Sequence, residues 1–229
     1  MAGIGSPQNV RGLGAGETFR FSCHPGVPCF TDCCRQLDLA LTPYDVLRLR
    51  KGLGIAAAEF LDGYTVIEKG GEDVFPTVFL AMIDDGRAAC PFVTEDGCSV
   101  YRDRPGACRT YPVGRGAYLD GTGRPAELFV LLSEPHCRGF EAGPRISVAD
   151  WLDDQDLAVY NEFNDLLLPL LRHRRIKEGF RPDGRQQARY LEVLYNLDDF
   201  RLKSAALENV ADPDLLKSAI LLLDDELFS

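Results

Sequence analysis

Eight cysteines are the residues of this chain best equipped for chemistry. Four fall within twelve residues, in Phe21-Ser-Cys23-His24-Pro-Gly-Val-Pro-Cys29-Phe-Thr-Asp-Cys33-Cys34-Arg35, spaced C-x5-C-x3-C-C. Three recur in a second knot, Cys90-Pro-Phe92, Gly97-Cys98 and Cys108-Arg109, and the eighth is Cys137. A free cysteine in a core behaves as a small hydrophobe and is scattered singly. Turn residues such as Pro25, Gly26 and Pro28 instead let a short segment bring several sulfurs to one point. The chemistry implied is metal coordination by thiolates, which suit both zinc and iron–sulfur centres.

Three readings follow from the residues. The thiols are reduced or partly disulfide-linked without metal, or they build one or two closed tetrahedral zinc sites. In the third, four thiolates hold an iron–sulfur cluster, most simply 4Fe-4S, and the rest support it or bind a second metal. The spacings C-x7-C and C-x9-C of the second knot match neither zinc knuckles nor a ferredoxin run. Arg35, Arg102, Arg104, Arg109 and Arg115 lie near cysteines in sequence. Guanidiniums there offset the negative charge of a thiolate site, with Arg35, Arg104 and Arg109 the expected supporters. The bland alternative pairs them with acids such as Asp32 and Asp103. Tyr101, Tyr111 and Phe92 flank cysteines and are expected to exclude water. His24 and His136 neighbour cysteines in supporting or solvent-facing roles. His173, in Arg172-His-Arg-Arg175, reads as a solvated helix end favoured by the macrodipole. Asp153-Asp154-Gln-Asp156 reads as the wet side of a helix. Gly12-Leu-Gly14-Ala-Gly16 lacks the strand and helix a phosphate loop requires. No Ser/His/Asp or paired-carboxylate arrangement stands out.

The order of Cys23, Cys29, Cys33-Cys34-Arg35, Leu41-Thr-Pro-Tyr-Asp45, Cys90-Pro-Phe92, Gly97-Cys98-Ser-Val-Tyr101, Arg104-Pro105 and Cys108-Arg109-Thr-Tyr111-Pro112 resembles the YkgJ-type cysteine-cluster family. That family is described as zinc- or iron-chelating, and the likeness spans roughly residues 20–140. Common members carry C-x2-C-x2-C-C. The longer motif here is similar to that of flagellin lysine-N-methylases, distant relatives with a four-iron cluster. The resemblance therefore implies an iron–sulfur cluster, with zinc as the alternative, but does not carry over methylase activity; a metal-dependent protein methyltransferase is a separate hypothesis. From the residues themselves, all eight cysteines are the candidate ligands: Cys23, Cys29, Cys33, Cys34, Cys90, Cys98, Cys108 and Cys137. No methyl-donor site is recognisable.

The surrounding sequence must position these sulfurs. A chain of 229 residues with 45% hydrophobic and 26% charged residues can bury a core without covalent help. Residues 1–20 show no signal-peptide h-region and no apolar run is long enough to span a bilayer. The cytoplasm, where cysteine clusters bind metal more often than they form disulfides, is the expected compartment. A net charge of -10 disfavours nucleic acid and anionic membrane as partners, leaving an unidentified protein or small molecule.

Glycine-rich residues 1–20 read as a flexible lead. Thr42-Pro43-Tyr44-Asp45 is a capping box opening a helix that stops at Gly52. A second helix is predicted over 55–61. Strands are predicted over 37–41, 64–67, 74–83 (interrupted by Pro76), 98–101 and 127–132, with Gly70-Gly71 as a turn. From Ser147 the pattern becomes helical: one long helix from Trp151 to Leu171 kinked at Pro169, then helices over 185–197 and 214–227, the last capped by Asp212-Pro213. The expected fold class is α+β, a loop-rich cysteine-cluster half with short strands followed by a mainly helical half. The expected division is lead 1–20, metal-binding domain 21–145 and helical region 146–229 packed on it.

Overall fold

The structure is a computed structural model that describes residues 9–14, 16–69, 73–203 and 205–229. Helix α1 (Pro43–Leu53) starts where the capping box places it. Thr42 Oγ1 accepts the Asp45 N–H at 3.2 Å, and Asp45 Oδ2 accepts the Thr42 N–H at 2.8 Å. It ends at Gly54 instead of Gly52, because Gly54 adopts the left-handed conformation (φ 70°) that returns its N–H to Arg50 and Lys51. Helix α2 (Ala57–Tyr64) runs straight into β3 (Thr65–Glu68), which pairs antiparallel with β4 (Thr77–Leu80). The expected 74–83 strand begins only after Pro76, which has no N–H to give a ladder. Residues 37–41 contribute a single bridge, Ala40 to Phe79. Gly70 and Gly71 lie outside the described residues.

In the second cysteine knot, β5 (Val93–Thr94) and β6 (Gly97–Cys98) form a minimal hairpin. The strand expected over 98–101 gives way to a 3-10 turn, Tyr101–Asp103, and then to the short helix α3 (Gly106–Thr110). Beyond it β7 (Val113–Leu119) and β8 (Pro125–Leu132) form the longest hairpin.

Residues expected as a flexible lead are strands instead. β1 (Val10–Leu13) completes the order β1-β8-β7, and β2 (Thr18–Arg20) pairs with β9 (Arg145–Ser147). Partner strands supply the ordering that the glycines of the lead cannot. Residues 1–8 and 15 lie outside the described residues.

The helical half comprises α4 (Val148–Asp154), α5 (Ala158–Leu171), α6 (Arg174–Lys177), α7 (Gly184–Tyr195), α8 (Leu197–Leu202) and α9 (Asp212–Phe228). The single helix expected over 151–171 is two, broken where Asp156 turns left-handed (φ 51°). Pro169 sits inside α5. The cap of α9 is Ala211, not Asp212, whose carboxylate is committed to Arg50, Lys51 and Arg201.

One large core joins the two halves. Tyr44 of α1 stacks on Phe163 of α5 at 4.4 Å and meets Tyr160 edge-on at 4.9 Å. Leu49, Phe60, Val78, Leu170, Leu194, Leu215, Leu216 and Leu223 are fully enclosed in it. Each such side chain contributes about 1.5–3 kcal/mol of burial, so the helices stabilise the platform on which the cysteine loops stand. A second, smaller cluster gathers Phe19, Phe21, Val113 and Leu131, with Tyr111, Cys137, Phe140 and Trp151 packed against it. The fold is α+β, its helices concentrated in the C-terminal half. No helix among the described residues is long and apolar enough to cross a membrane.

Candidate metal centre

The first cysteine segment is a chain of tight turns. Successive i to i-3 hydrogen bonds link Val27 to His24, Phe30 to Val27, Asp32 to Cys29 and Cys34 to Thr31, all 2.9–3.0 Å. Thr31 and Gln36 take positive φ. His24 serves this turn, its Nδ1 accepting the Gly26 N–H at 3.1 Å. Asp32–Cys34 closes as a 3-10 turn.

That segment is stitched to the second knot. The Cys90 N–H donates to the Cys34 carbonyl at 2.8 Å, and the Gln36 N–H to the Ala88 carbonyl at 2.9 Å. Gly97, at φ 120°, leaves room for Phe30: a Cβ there would stand 3.0 Å from the ring. Cys98 pairs in register with Val93.

Cys108 rides on α3, whose position depends on Asp45. Beyond capping α1, Asp45 Oδ1 accepts the Gly106 N–H at 2.8 Å. Arg109, buried, donates to the carbonyls of Arg102, Arg104 (3.2 Å) and Gln155 (2.9 Å). Arg104 donates to Gln155 Oε1 and the Tyr101 carbonyl, and lies 3.7 Å from the centroid of the Tyr101 ring.

Cys137 closes the arrangement from the other side. The Ser22 N–H bonds the Gly139 carbonyl at 3.0 Å, and Phe21 meets Tyr111, Phe140 and Trp151 edge-on. The Arg138 N–H donates to Cys29 Sγ at 3.0 Å. The buried Tyr111 hydroxyl makes no well-aligned hydrogen bond, and the Cys137 sulfur is its foremost polar neighbour.

All eight cysteines are free thiols. The adjacent Cys34 side chain is the largest influence on Cys33 and lowers it to about 7, while Cys33, then burial, raise Cys34. Burial, then the neighbouring Cys33, Cys29 and Cys137, push Cys23 to about 11. Burial, then Cys90, Asp45, Cys98 and Cys33, push Cys108 to about 12. Cys90, Cys98 and Cys137 are also raised, burial first in each case. The Arg104 charge acts the other way, favouring the thiolate at Cys23 and Cys98. Sulfurs from residues 23 to 137 thus feel one another electrostatically, with Cys33 common to most of the contacts.

A family model described as "Putative zinc- or iron-chelating domain" (CxxCxxCC) matches residues 22–138. The chain belongs to the CxxCxxCC family. No curated protein and no solved structure matches it. Membership in this family supports metal binding, and the donor set agrees with it. Soft thiols dominate, carried on tight turns, on the β5–β6 hairpin and on the short helix α3. Among the described residues, no three Cys, His, Asp or Glu side chains stand at coordinating spacing in this conformation. An ion would therefore have to draw the sulfurs together from their present positions.

Several expected supporters are placed differently. Tyr101 is 59% exposed and cannot wall off the centre; it is the platform on which Arg104 lies. Arg109 braces backbone carbonyls and reaches the site only through the loop it holds. Arg115 pairs with Asp165 (2.8 Å) and Glu127 (2.7 Å). Arg35 donates to the Thr31 carbonyl at 2.6 Å, and its buried Nε has no hydrogen-bond partner. Asp103 pairs with Arg48. His136 stands 3.5 Å from Glu134. His173 begins α6, accepting the Arg175 N–H and stacking 3.9 Å from Phe228, directly after Arg172, which caps the C-terminus of α5.

Asp45 and Gln155 are the positioning residues that sequence reasoning missed. Asp45 was legible as a cap, but its second bond crosses 61 residues. Gln155, within a run read as merely solvated, holds both Arg104 and Arg109.

Proposed function

We propose that the thiolates between Cys23 and Cys137 hold an iron–sulfur cluster of the 4Fe-4S type, serving a structural, redox or group-transfer role. The observation that carries this reading is the bond from the Cys90 N–H to the Cys34 carbonyl at 2.8 Å, which ties the first cysteine segment to the second knot, where Cys98 follows in the β5–β6 hairpin. Arg104 is the cation whose charge acts on Cys98 and Cys108 there. Phe92 and Val100, both buried, belong to the apolar core against which Cys90 and Cys98 pack. When bound, such a cluster supplies one-electron chemistry or a rigid cross-link. The chain's own part is to present four deprotonated sulfurs, offset their charge with Arg104, and keep water from the apolar side. Residues 21–145 form the metal-binding domain in this reading, the cytoplasm is its compartment, and the partner is a protein or small molecule.

Zinc is the second reading, favoured by the number of sulfurs: eight thiolates suit two closed tetrahedral sites. Anaerobic purification followed by iron, labile-sulfide and zinc analysis separates the two. A brown protein with about four iron and four sulfide per cluster supports the first reading. Colourless protein with stoichiometric zinc and no sulfide replaces it with the second.

A further inference from the structure

We infer that the eight cysteines form two separate four-sulfur centres, Cys23/Cys29/Cys33/Cys137 and Cys34/Cys90/Cys98/Cys108, with the adjacent Cys33 and Cys34 assigned to different ones. This rests on the metal-binding reading and does not depend on which metal is held.

The two hydrophobic clusters divide the cysteines first. Cys137 packs against the small cluster of Phe19, Phe21, Val113 and Leu131. Cys90 and Cys98 pack against the large core. The connections of the remaining cysteines follow the same division. Cys29 Sγ accepts the Arg138 N–H, one residue from Cys137. The foremost sulfur neighbours of Cys23 are Cys33, Cys29 and Cys137. On the other side, Cys34 is bonded through its carbonyl to the Cys90 N–H, and its neighbours beyond Cys33 are Cys90 and Cys108. Cys108 in turn faces Cys90 and Cys98.

Cys33 and Cys34 lie in the 3-10 turn Asp32–Cys34. With three residues per turn, successive side chains diverge by about 120°, so adjacent positions address different directions. Cys33 also feels Cys90 and Cys108, which places it at the boundary. A boundary position is what one member of a pair separating two centres must occupy. Two four-thiolate centres also use every cysteine of the chain, whereas one would leave four thiols without a role.

Alkylation of the natively purified, metal-loaded chain, read residue by residue by mass spectrometry, tests the division. Wild type should protect all eight thiols. Cys137→Ser should expose Cys23, Cys29 and Cys33 while the other four stay protected. Cys98→Ser should expose Cys34, Cys90 and Cys108 and leave the first set protected. Should Cys137→Ser fail to fold by circular dichroism, Cys29→Ser makes the same prediction, and the wild-type count stands by itself. Four protected thiols in wild type, or a folded single variant exposing all seven or none, overturns the division while leaving metal binding intact. Eight reactive thiols in wild type overturn the metal-binding reading itself.

Discussion

The Asp45 carboxylate accepts the Gly106 N–H at 2.8 Å while its other oxygen caps Thr42, so one buried side chain fixes the starts of both α1 and α3. Cys108 sits two residues beyond that second start. Replacing Asp45 with Ala orphans two backbone donors in a site without water access. Each orphaned donor costs about 1–3 kcal/mol. The expected outcome of Asp45→Ala is a lower denaturation midpoint together with faster alkylation of Cys108. Unchanged Cys108 reactivity in the folded variant would detach Asp45 from the centre.

Asp212 is the ionic joint between α1 and the C-terminal helices, bonded by Arg50 at 2.9 Å and Lys51 at 3.0 Å as well as by Arg201. Burial opposes its charge, yet Lys51, then Arg50 and Arg201, hold its carboxyl below the ordinary value of 3.8. A carboxylate depressed in the folded state contributes stability that is present above that ordinary value and lost as pH falls through the folded one. Asp212→Asn is therefore predicted to cost about 2 kcal/mol at neutral pH. The gap to wild type should close at acid pH, as urea titrations at several pH values would show. A pH-independent gap would assign the loss to packing.

How much of this was legible follows from where each signal lies. The start of α1 could be read because Thr42, Pro43 and Asp45 are neighbours in sequence and act locally. Strand β7 could not, because Gly114 and Gly116 dilute its β character. The reason for those glycines is tertiary: a Cβ at Gly114 would meet Val130 at 2.8 Å, and one at Gly116 would meet Leu128 at 3.0 Å. The α4–α5 break was hidden for the opposite reason, since Asp156 turns left-handed without a glycine or proline to announce it. The cysteines announced a soft-metal site through type and clustering. Their neighbours depend on Phe30 against Gly97, on Cys34 bonded to Cys90 and on the Arg138–Cys29 contact, none of which is local.

Gly143 lets the chain pass over the Phe21–Ser22 backbone beside the first cysteine segment. It sits at φ 91°, and a Cβ would lie 2.6 Å from the Phe21 carbonyl oxygen. Gly143→Ala should cost about 1–3 kcal/mol from backbone strain, before any shift of Phe21 is counted. Gly12→Ala, with nothing within 4 Å of its Cβ, is the control for a general glycine effect. Equal melting temperatures for the two variants would contradict the close approach.

Most thiols of the centre are held protonated at neutral pH, with Cys23 near 11 and Cys108 near 12. Metal must therefore displace protons to bind. Affinity for zinc, measured with a competing chelator between pH 6 and 8, is predicted to rise with pH, and calorimetry in buffers of different ionisation enthalpy should register proton release. Cys33, near 7 beside Cys34, should be the thiol that alkylates fastest in metal-free protein. Affinity that does not change with pH would mean the ligands are not these thiols.

X-ray absorption at the metal edge of natively purified protein addresses the central claim most directly. Sulfur alone should surround the metal, cysteine thiolate together with bridging sulfide in an iron–sulfur cluster, or thiolate only, at about 2.3 Å, if the metal is zinc. A first shell of oxygen or nitrogen, or protein without stoichiometric metal, would contradict it.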